Sequence, residues 1–251
     1  MKEHGQSMNK KAVIIGYGFV GKATEKYLKK FNDIDLWIHD PDLGMIASTE
    51  KEYDFCFICV PTNLIQNREL DIDIVLDVYN EFKGEQIIRS TIGPDQIGLF
   101  HDDVVLWPEF LREVTWEDQL TQPEVDNVIG DNSGSSFTEW LANHTFGNIE
   151  IVTQKEASMF KMSRNAFLAM KVTFANLLNI KCNAYNIDYN NVKALLKYNI
   201  DPTTHLDTPG PDGKAGFGGK CLPKDTTHFM NLFGVDKIFE SILDFNNKIR
   251  K

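Results

Sequence analysis

The spacing of apolar and polar residues changes character near the middle of the chain. Up to about residue 150, short apolar runs alternate with segments whose apolar residues recur at helical spacing. The predicted strands are residues 11–15, 34–39, 54–60, 86–89, 104–107 and 125–129. Strands that alternate with helices predict a parallel sheet with right-handed crossovers. The fold class predicted for this half is therefore α/β, a doubly wound parallel sheet.

The second half is predicted to be all helical. Residues 154–187 contain no Gly and no Pro, and their apolar residues fall at steps of three and four. They predict one long helix of about 45–50 Å. A helix follows at 188–198, then a Gly- and Pro-rich loop at 199–219, and two closing helices split near Gly234. We expect the long helix to be covered by a second copy, which makes the protein a homodimer.

A glycine-rich turn follows the first predicted strand and opens a helix. Its sequence is GYGFVG, which fits GxGxxG, and Asp40 lies 19 residues further on. In this context the pattern indicates a Rossmann unit that binds a dinucleotide, and the acid favours NAD over NADP. A strand-turn-helix without a ligand is the alternative. The predicted cofactor-binding residues here are Gly16, Gly18, Phe19, Val20, Gly21 and Asp40.

Three segments follow from this division. Residues 1–10 are predicted to be an extension, 11–150 an NAD-binding Rossmann domain, and 151–251 a helical central and dimerisation domain.

Charge and composition narrow the partners. The net charge of −10 over 251 residues argues against nucleic-acid binding, which needs an excess of Lys and Arg. No apolar run is long enough to predict a membrane helix, and the first ten residues lack the apolar core of a signal peptide. Four cysteines without a secretory signal favour free thiols and a cytoplasmic location.

Three of the four cysteines are interpreted as core residues. Cys56 and Cys59 form a CxxC pattern, but in a strand positions i and i+3 point to opposite faces, so we predict neither a metal nor a redox site there. Cys182 lies within the predicted long helix and is also expected in the core.

Cys221 has a different setting. It stands between glycines and Pro223, a residue favoured in the first turn of a helix, with Lys220 and Lys224 on either side. A helix N-terminus and nearby cations both favour the nucleophilic thiolate. Asp225 lies close enough in sequence to act on a water or a proton. From these residues alone, an inert buried cysteine and a catalytic one are equally good interpretations.

The order of the motifs resembles that of the UDP-glucose/GDP-mannose dehydrogenase family, which oxidises a sugar-nucleotide alcohol to an acid in two NAD-dependent steps. The likeness runs from about Lys11 to the C-terminus. Glu156, Lys161 and Asn165 fit a further family pattern in the long helix. The matching segments are GYGFVG at 16–21, VPTN at 60–63, STIG at 90–93, PEFLRE at 108–113 and GFGGKCLPKD at 216–225.

The resemblance implies a role for each matching catalytic position. Cys221 would attack the aldehyde formed in the first oxidation, the resulting thiohemiacetal would lose a second hydride, and water would cleave the thioester. Lys161 would stabilise negative charge on the reacting oxygen, with support from Asn165 one turn along the helix. Asp225 would assist proton transfer or orient the water.

The resemblance also implies contacts with cofactor and substrate. Thr62, Thr91 and Lys224 would contact NAD. Glu113 would lie near the nicotinamide and the water, and it counts, like Thr91, among both the catalytic and the cofactor-binding residues. The nucleotide sugar would contact Glu109, Phe110, Leu111, Lys161, Asn165, Phe217, Gly218 and Gly219.

The sequence departs from the family's pattern in positions that concern the substrate. The chain stops about where typical members begin a second Rossmann-like domain, so we expect a short form, a piece of a longer protein, or a chain whose partner supplies the rest. Residues 201–208 lack the arginine that members usually carry there, and His205 is the one possible cation in that segment. The loop at 209–219 is longer than usual, and Trp107 replaces the usual Asn.

Two other functions remain open. One is a two-electron dehydrogenase of the β-hydroxyacid kind, which would not need Cys221. The other is a non-catalytic NAD-binding protein.

Overall fold

The computed structural model describes residues 9–65, 69–110, 127–145, 147–199, 212–218, 222–223, 227 and 236–250. Its strands are β1 (Lys10–Ile15), β2 (Ile34–His39), β3 (Glu52–Ile58), β4 (Lys83–Ile88), β5 (Val105–Leu106), β6 (Asn127–Gly130) and β7 (Ile149–Val152). Its helices are α1 (Phe19–Leu28), α2 (Asp73–Glu81), α3 (Ser136–His144), α4 (Gln154–Ala184), α5 (Tyr189–Asn199) and α6 (Asp236–Ile249).

The strands form one mostly parallel sheet in the order β2-β1-β3-β4-β5-β6-β7. This confirms the predicted α/β fold class. One detail was wrong: β6 runs antiparallel to β5, with Leu106 opposite Gly130. The exception is confined to that pairing, because β6 and β7 are again parallel to each other. An apolar run indicates a strand but not its direction, so the sequence pattern did not carry this information.

Side chains alternate between the two faces of the sheet, and both faces are covered by helices. On β1, Ala12 and Ile14 face the side of α1 and α3, whereas Val13 and Ile15 face the side of α2. Every one of these four side chains is buried. The near-continuous apolar character of β1 therefore follows from burial on both faces.

Cys56 and Cys59 confirm the expectation drawn from this alternation. Cys56 packs on the α2 side and Cys59 on the α1 side, and both are free and buried. Cys182 on α4 is also free and buried, as predicted. Within the described part of the chain, no cluster of three metal-ligating side chains occurs.

Trp107 lies in an aromatic cluster on the α1 side of the sheet. Its ring meets those of Tyr27 and Phe137, and its indole N–H donates to Asn127 Oδ1 at 3.0 Å. The side chain is 2% exposed. The tryptophan that replaces the family's usual asparagine is therefore a core residue with its polar atom satisfied.

The long helix α4 has 31 residues, or about 46 Å, as its periodicity predicted. It begins with reciprocal hydrogen bonds between two residues: the Thr153 N–H donates to Glu156 Oε2 at 2.9 Å, and the Glu156 N–H donates to Thr153 Oγ1 at 3.3 Å. This arrangement is a capping box, which satisfies backbone donors at the helix start. None of the described helices combines the length and apolar character that a bilayer crossing requires.

The chain divides into two compact units, residues 1–168 and 169–251. The division falls inside α4, which contributes its first turns to one unit and the remainder to the other. The predicted domain boundary at 150/151 stays a prediction.

Candidate active site

The glycine turn between β1 and α1 has the geometry of a nucleotide-binding loop at three positions. Gly16 has φ +88°, and a Cβ there would lie 2.8 Å from the Cys59 carbonyl oxygen. A Cβ on Gly21 would lie 2.1 Å from the Gly16 carbonyl oxygen. A Cβ on Gly18 would meet no atom within 4 Å. The fold thus requires the first and third glycines, while the second leaves open space at the N-terminus of α1.

Asp40 lies directly beside this turn. It follows β2, whose parallel pairing with β1 sets His39 opposite Ile15. The Asp40 carboxylate accepts the N–H of Tyr17 at 2.7 Å. The acid is therefore fixed at the same edge of the sheet as the open space beside Gly18.

The side chain of Tyr17 is tied to α1. Its hydroxyl is hydrogen-bonded to the Glu25 carboxylate. Burial, this hydrogen bond and the charge of Glu25 together raise the pKa of Tyr17 to about 12. The phenol therefore stays neutral, and the turn has a fixed polar anchor beside Asp40.

The segments that follow β3 and β4 are joined to each other. Ser90 Oγ donates to the Val60 carbonyl oxygen at 2.6 Å, which holds VPTN beside STIG. Thr62 and Thr91 lie in these two segments and are both half-buried. Both segments extend from the carboxyl ends of neighbouring parallel strands, where α/β proteins bind their ligands.

Helix α4 brings a buried lysine to this same edge. Ser158 Oγ donates to the Ile92 carbonyl oxygen at 2.6 Å, so the first turns of the helix dock on STIG. One turn later, Lys161 Nζ contacts Glu109 Oε1 at 2.6 Å and also donates to the Glu109 carbonyl oxygen. The two side chains are only 7% and 12% exposed. Lys161 is thus a buried cation paired with a buried carboxylate.

Phe110 packs beside Lys161 on helix α4. Its ring packs edge-on against Phe160 with ring centroids 5.4 Å apart. Lys161 Nζ and Arg164 Cζ lie 5.5 Å and 5.0 Å from its centroid. Asn165 is exposed one turn after Lys161 on α4.

Arg89 is a residue of this region that the sequence reasoning missed. It is 2% exposed, and its guanidinium stacks on Trp107 at 3.8 Å from the ring. Its Nε and Nη1 find no hydrogen-bond partner in the described part of the chain. The available signal was an arginine directly after the apolar run of β4. A charged residue at such a position is expected to have a specific partner, because charged residues are rarely buried without one.

A small cavity connects these groups. It lies between the ends of β4 and β5 and the start of α4, and it is lined by Ser90, Thr91, Pro108, Ser158 and Lys161 among others. A larger cavity of about 590 Å³ includes Gly84, Glu85 and His101 in its lining, and none of the described residues of the predicted site lines it. The small cavity has a volume of about 10 Å³, enough for about one water molecule, so it marks where these side chains meet and is not itself a substrate pocket.

The predicted site residues at the β1–α1 turn and after β2 and β3 are all described, and Asn165 is exposed on α4: Gly16, Gly18, Phe19, Val20, Gly21, Asp40, Thr62 and Asn165. Thr91, Glu109, Phe110 and Lys161 come together at the carboxyl edge of the sheet. Phe217 and Gly218 lie in the second compact unit. The remaining predictions lie outside the described residues: Leu111, Glu113, Gly219, Cys221, Lys224 and Asp225.

Comparison with known proteins finds relatives for both halves of the chain. Residues 155–248 match the central domain of the UDP-glucose/GDP-mannose dehydrogenase family. The UDP-glucose 6-dehydrogenase of Campylobacter jejuni is 25% identical, and the match covers 96% of this chain and 72% of the relative. The UDP-glucose 6-dehydrogenase of Haloferax volcanii is 33% identical over 85% of this chain and 63% of the relative.

A solved structure shows the same fold. The GDP-mannose dehydrogenase of Pseudomonas aeruginosa superposes with a TM-score of 0.77 at 24% identity, over 95% of this chain and 68% of that one. Fold and matches together define an oxidoreductase with a Rossmann-like sheet. The chain is similar to the UDP-glucose/GDP-mannose dehydrogenase family, whose central domain matches its residues 155–248.

Proposed function

We propose that this protein oxidises the primary alcohol of a nucleotide sugar to a carboxylate, with NAD as the oxidant. The observation that carries the proposal is the buried Lys161–Glu109 pair at the carboxyl edge of the sheet. A cation at this place is suited to stabilise negative charge on an oxygen. The relatives in the comparison are named UDP-glucose 6-dehydrogenases, and the closely similar fold is that of a GDP-mannose dehydrogenase.

The residues around the glycine turn fit NAD. The open space at Gly18 and the N-terminus of α1 would receive the pyrophosphate. Asp40 would accept hydrogen bonds from the ribose hydroxyls and would repel a 2′-phosphate. Thr62 and Thr91 would contact the nicotinamide half from the ends of their strands. When bound, NAD supplies the hydride acceptor for each oxidation.

Lys161 is suited to hold the reacting oxygen. An ammonium has three N–H donors, and Glu109 accepts from two of them through its carboxylate and its carbonyl oxygen. Among the described residues this leaves the third donor for the substrate oxygen, on which negative charge would develop as hydride departs. Glu109 would then keep the ammonium oriented, and Asn165 would assist from the next turn.

Cys221 would supply the covalent step. Its thiolate forms a C–S bond to the aldehyde carbon, and the carbonyl electron pair moves to oxygen, where Lys161 stabilises it. NAD, when bound, would supply the hydride acceptor that allows this thiohemiacetal to become a thioester. Water, oriented by Asp225 or Glu113, then breaks the C–S bond and releases the carboxylate.

The proposal includes a homodimer in the cytoplasm. Helix α4 presents many apolar side chains that are exposed in the single chain, which is the pattern of an association surface. They are Met159, Met162, Phe167, Leu168, Met170, Phe174 and Ile180. Light scattering at micromolar concentration tests the dimer, which a monomeric mass would contradict.

The experiment is to measure initial rates of NADH formation with UDP-glucose, UDP-N-acetylmannosamine and GDP-mannose, for the wild type and for Cys221→Ser. Cys182→Ala is the control, because Cys182 is a buried core thiol. The proposal expects NADH from at least one sugar, with most activity lost in Cys221→Ser alone. Full activity of Cys221→Ser would favour the two-electron dehydrogenase, and NAD binding without turnover would favour a non-catalytic protein.

A further inference from the structure

The last helix of the chain holds the glycine loop at residues 212–218 by one asparagine side chain. Asn246 on α6 is 5% exposed. Its Oδ1 accepts the N–H of Phe217 at 2.7 Å, and its Nδ2 donates to the carbonyl oxygen of the same residue at 3.0 Å. One side chain thus satisfies both backbone groups of Phe217, as a neighbouring strand would.

Arg250, one turn further along, holds the same loop at two other points. Its Nη1 donates to the Gly216 carbonyl oxygen at 3.0 Å, and its Nη2 forms an ion pair with the Asp212 carboxylate. Asp212 also accepts the N–H of Lys214 at 3.2 Å, which fixes the turn that starts the loop. A planar guanidinium suits this task because its donors lie in a rigid fork.

The glycines of the loop are where these side chains approach. Gly216 has φ +74°, and a Cβ on it would lie 2.4 Å from Asn246 Oδ1. A Cβ on Gly218 would lie 1.9 Å from Arg250 Nη2. These glycines therefore admit the chain's own α6, in addition to any approach by a ligand.

We propose that Asn246 and Arg250 are positioning residues that fix the 212–218 loop and, through it, Phe217 and Gly218, which the proposed function sets against the substrate. The inference rests on the proposed function for its kinetic consequence. The loop geometry itself does not depend on that function, so the two are tested separately.

The first test measures the loop directly. Lys214 is exposed in the loop, so the rate of tryptic cleavage after it, followed by mass spectrometry, reports opening of the segment. We expect Asn246→Ala to accelerate this cut by about tenfold, because cleavage follows the open population and two hydrogen bonds are lost. Asn247→Ala changes the exposed neighbour on the same helix and should leave the rate unchanged.

Arg250→Ala provides a second variant if Asn246→Ala fails to fold, with the exposed Lys248→Ala as its control. It should also accelerate the Lys214 cut, and Arg250→Lys, which keeps the charge toward Asp212, should restore part of the protection. Unchanged cleavage in the folded Asn246 and Arg250 variants would overturn the proposal, whether or not the protein shows any activity.

The second test separates positioning from general destabilisation. In an active protein, both variants should raise the KM for the sugar, while the KM for NAD stays unchanged. If Asn246 and Arg250 only stabilised the fold, their variants would lower Tm without raising the KM for the sugar relative to the KM for NAD. Equal changes in both KM values would contradict the positioning role.

Discussion

Lys161 and Glu109 are 52 residues apart in the chain, and their charged groups meet at 2.6 Å in a largely buried contact. The strand that ends before Glu109 and the helix that carries Lys161 are thereby joined at the carboxyl edge of the sheet. Two desolvated charges stabilise each other only as a pair, so removal of one leaves the other at a cost. This relationship yields a prediction on both stability and catalysis.

We expect Lys161→Ala to lower kcat by about 10²–10³-fold, because a donor to the developing negative charge is lost. It should also lower the free energy of unfolding by about 3 kcal/mol, since Glu109 remains buried without its partner. Lys155→Ala, at an exposed position of the same helix, is the control. A double-mutant cycle with Glu109→Gln should give a coupling energy of about 1–3 kcal/mol. A coupling near zero would show that the pair does not act together.

Asp40 is expected to decide the choice of cofactor. Asp40→Ala should raise the KM for NAD by about tenfold, the equivalent of one strong hydrogen bond, and should increase the relative use of NADP. Steady-state kinetics with both cofactors measure this change. Asp42→Ala, two residues further on at an exposed position, should behave like the wild type. If Asp40→Ala kept the wild-type preference for NAD over NADP, Asp40 would not be a cofactor-binding residue.

The thiols should differ sharply in reactivity. Burial raises the pKa of Cys56 to about 12 and that of Cys59 to about 11, so both stay protonated at pH 8. Brief treatment of the folded protein with iodoacetamide, followed by peptide mass spectrometry, should leave these two unmodified and label Cys221 first. Bound NAD should change the rate at Cys221 alone. Equal labelling of Cys56 and Cys221 would contradict the assignment of roles.

Asp131 should make the stability of the Rossmann unit sensitive to acid. Burial by itself would raise its pKa, but hydrogen bonds from Thr138, Ser135 and Ser133 outweigh it and hold the pKa well below its usual value. Because the folded pKa lies below the unfolded one, this stabilisation is complete above about pH 4 and is lost as the pH falls toward the folded pKa.

Asp131→Asn tests the direction of this pH dependence. Urea unfolding should show a loss of about 2 kcal/mol at pH 7, and the difference from wild type should shrink as the pH falls from about 4 to about 2. Asp102→Asn offers an exposed carboxylate as the control. A difference that stays constant with pH would mean that the carboxylate's charge is not the source of the effect.

The sequence predicted the elements whose apolar residues form a clear pattern. β1 was predicted from its apolar run, and α4 from apolar residues at steps of three and four. β7 escaped notice: it has only four residues, and Ile151 is 58% exposed, so its pattern resembles a loop. The antiparallel direction of β6 depends on its pairing with β5, and the local spacing of apolar residues does not predict strand direction.

The residues of the candidate site also fall into those that a local motif predicted and those that only the fold brings together. The glycine turn and Asp40 were found because a local motif places them, and their geometry depends on neighbouring strands. The Lys161–Glu109 contact joins a segment after β5 to a helix 52 residues later, and Arg89 packs against Trp107, which directly follows β5. The sequence named Lys161 and Glu109 through family resemblance, but it gave no sign that they pair.

The most direct test of the proposed function is the number of NADH molecules formed per sugar when a nucleotide sugar is limiting and NAD is in excess. The proposal predicts two NADH for each sugar consumed, together with a carboxylate product, because the alcohol is oxidised twice at one site. One NADH per sugar with an aldehyde or ketone product would contradict it and would make the protein a two-electron dehydrogenase.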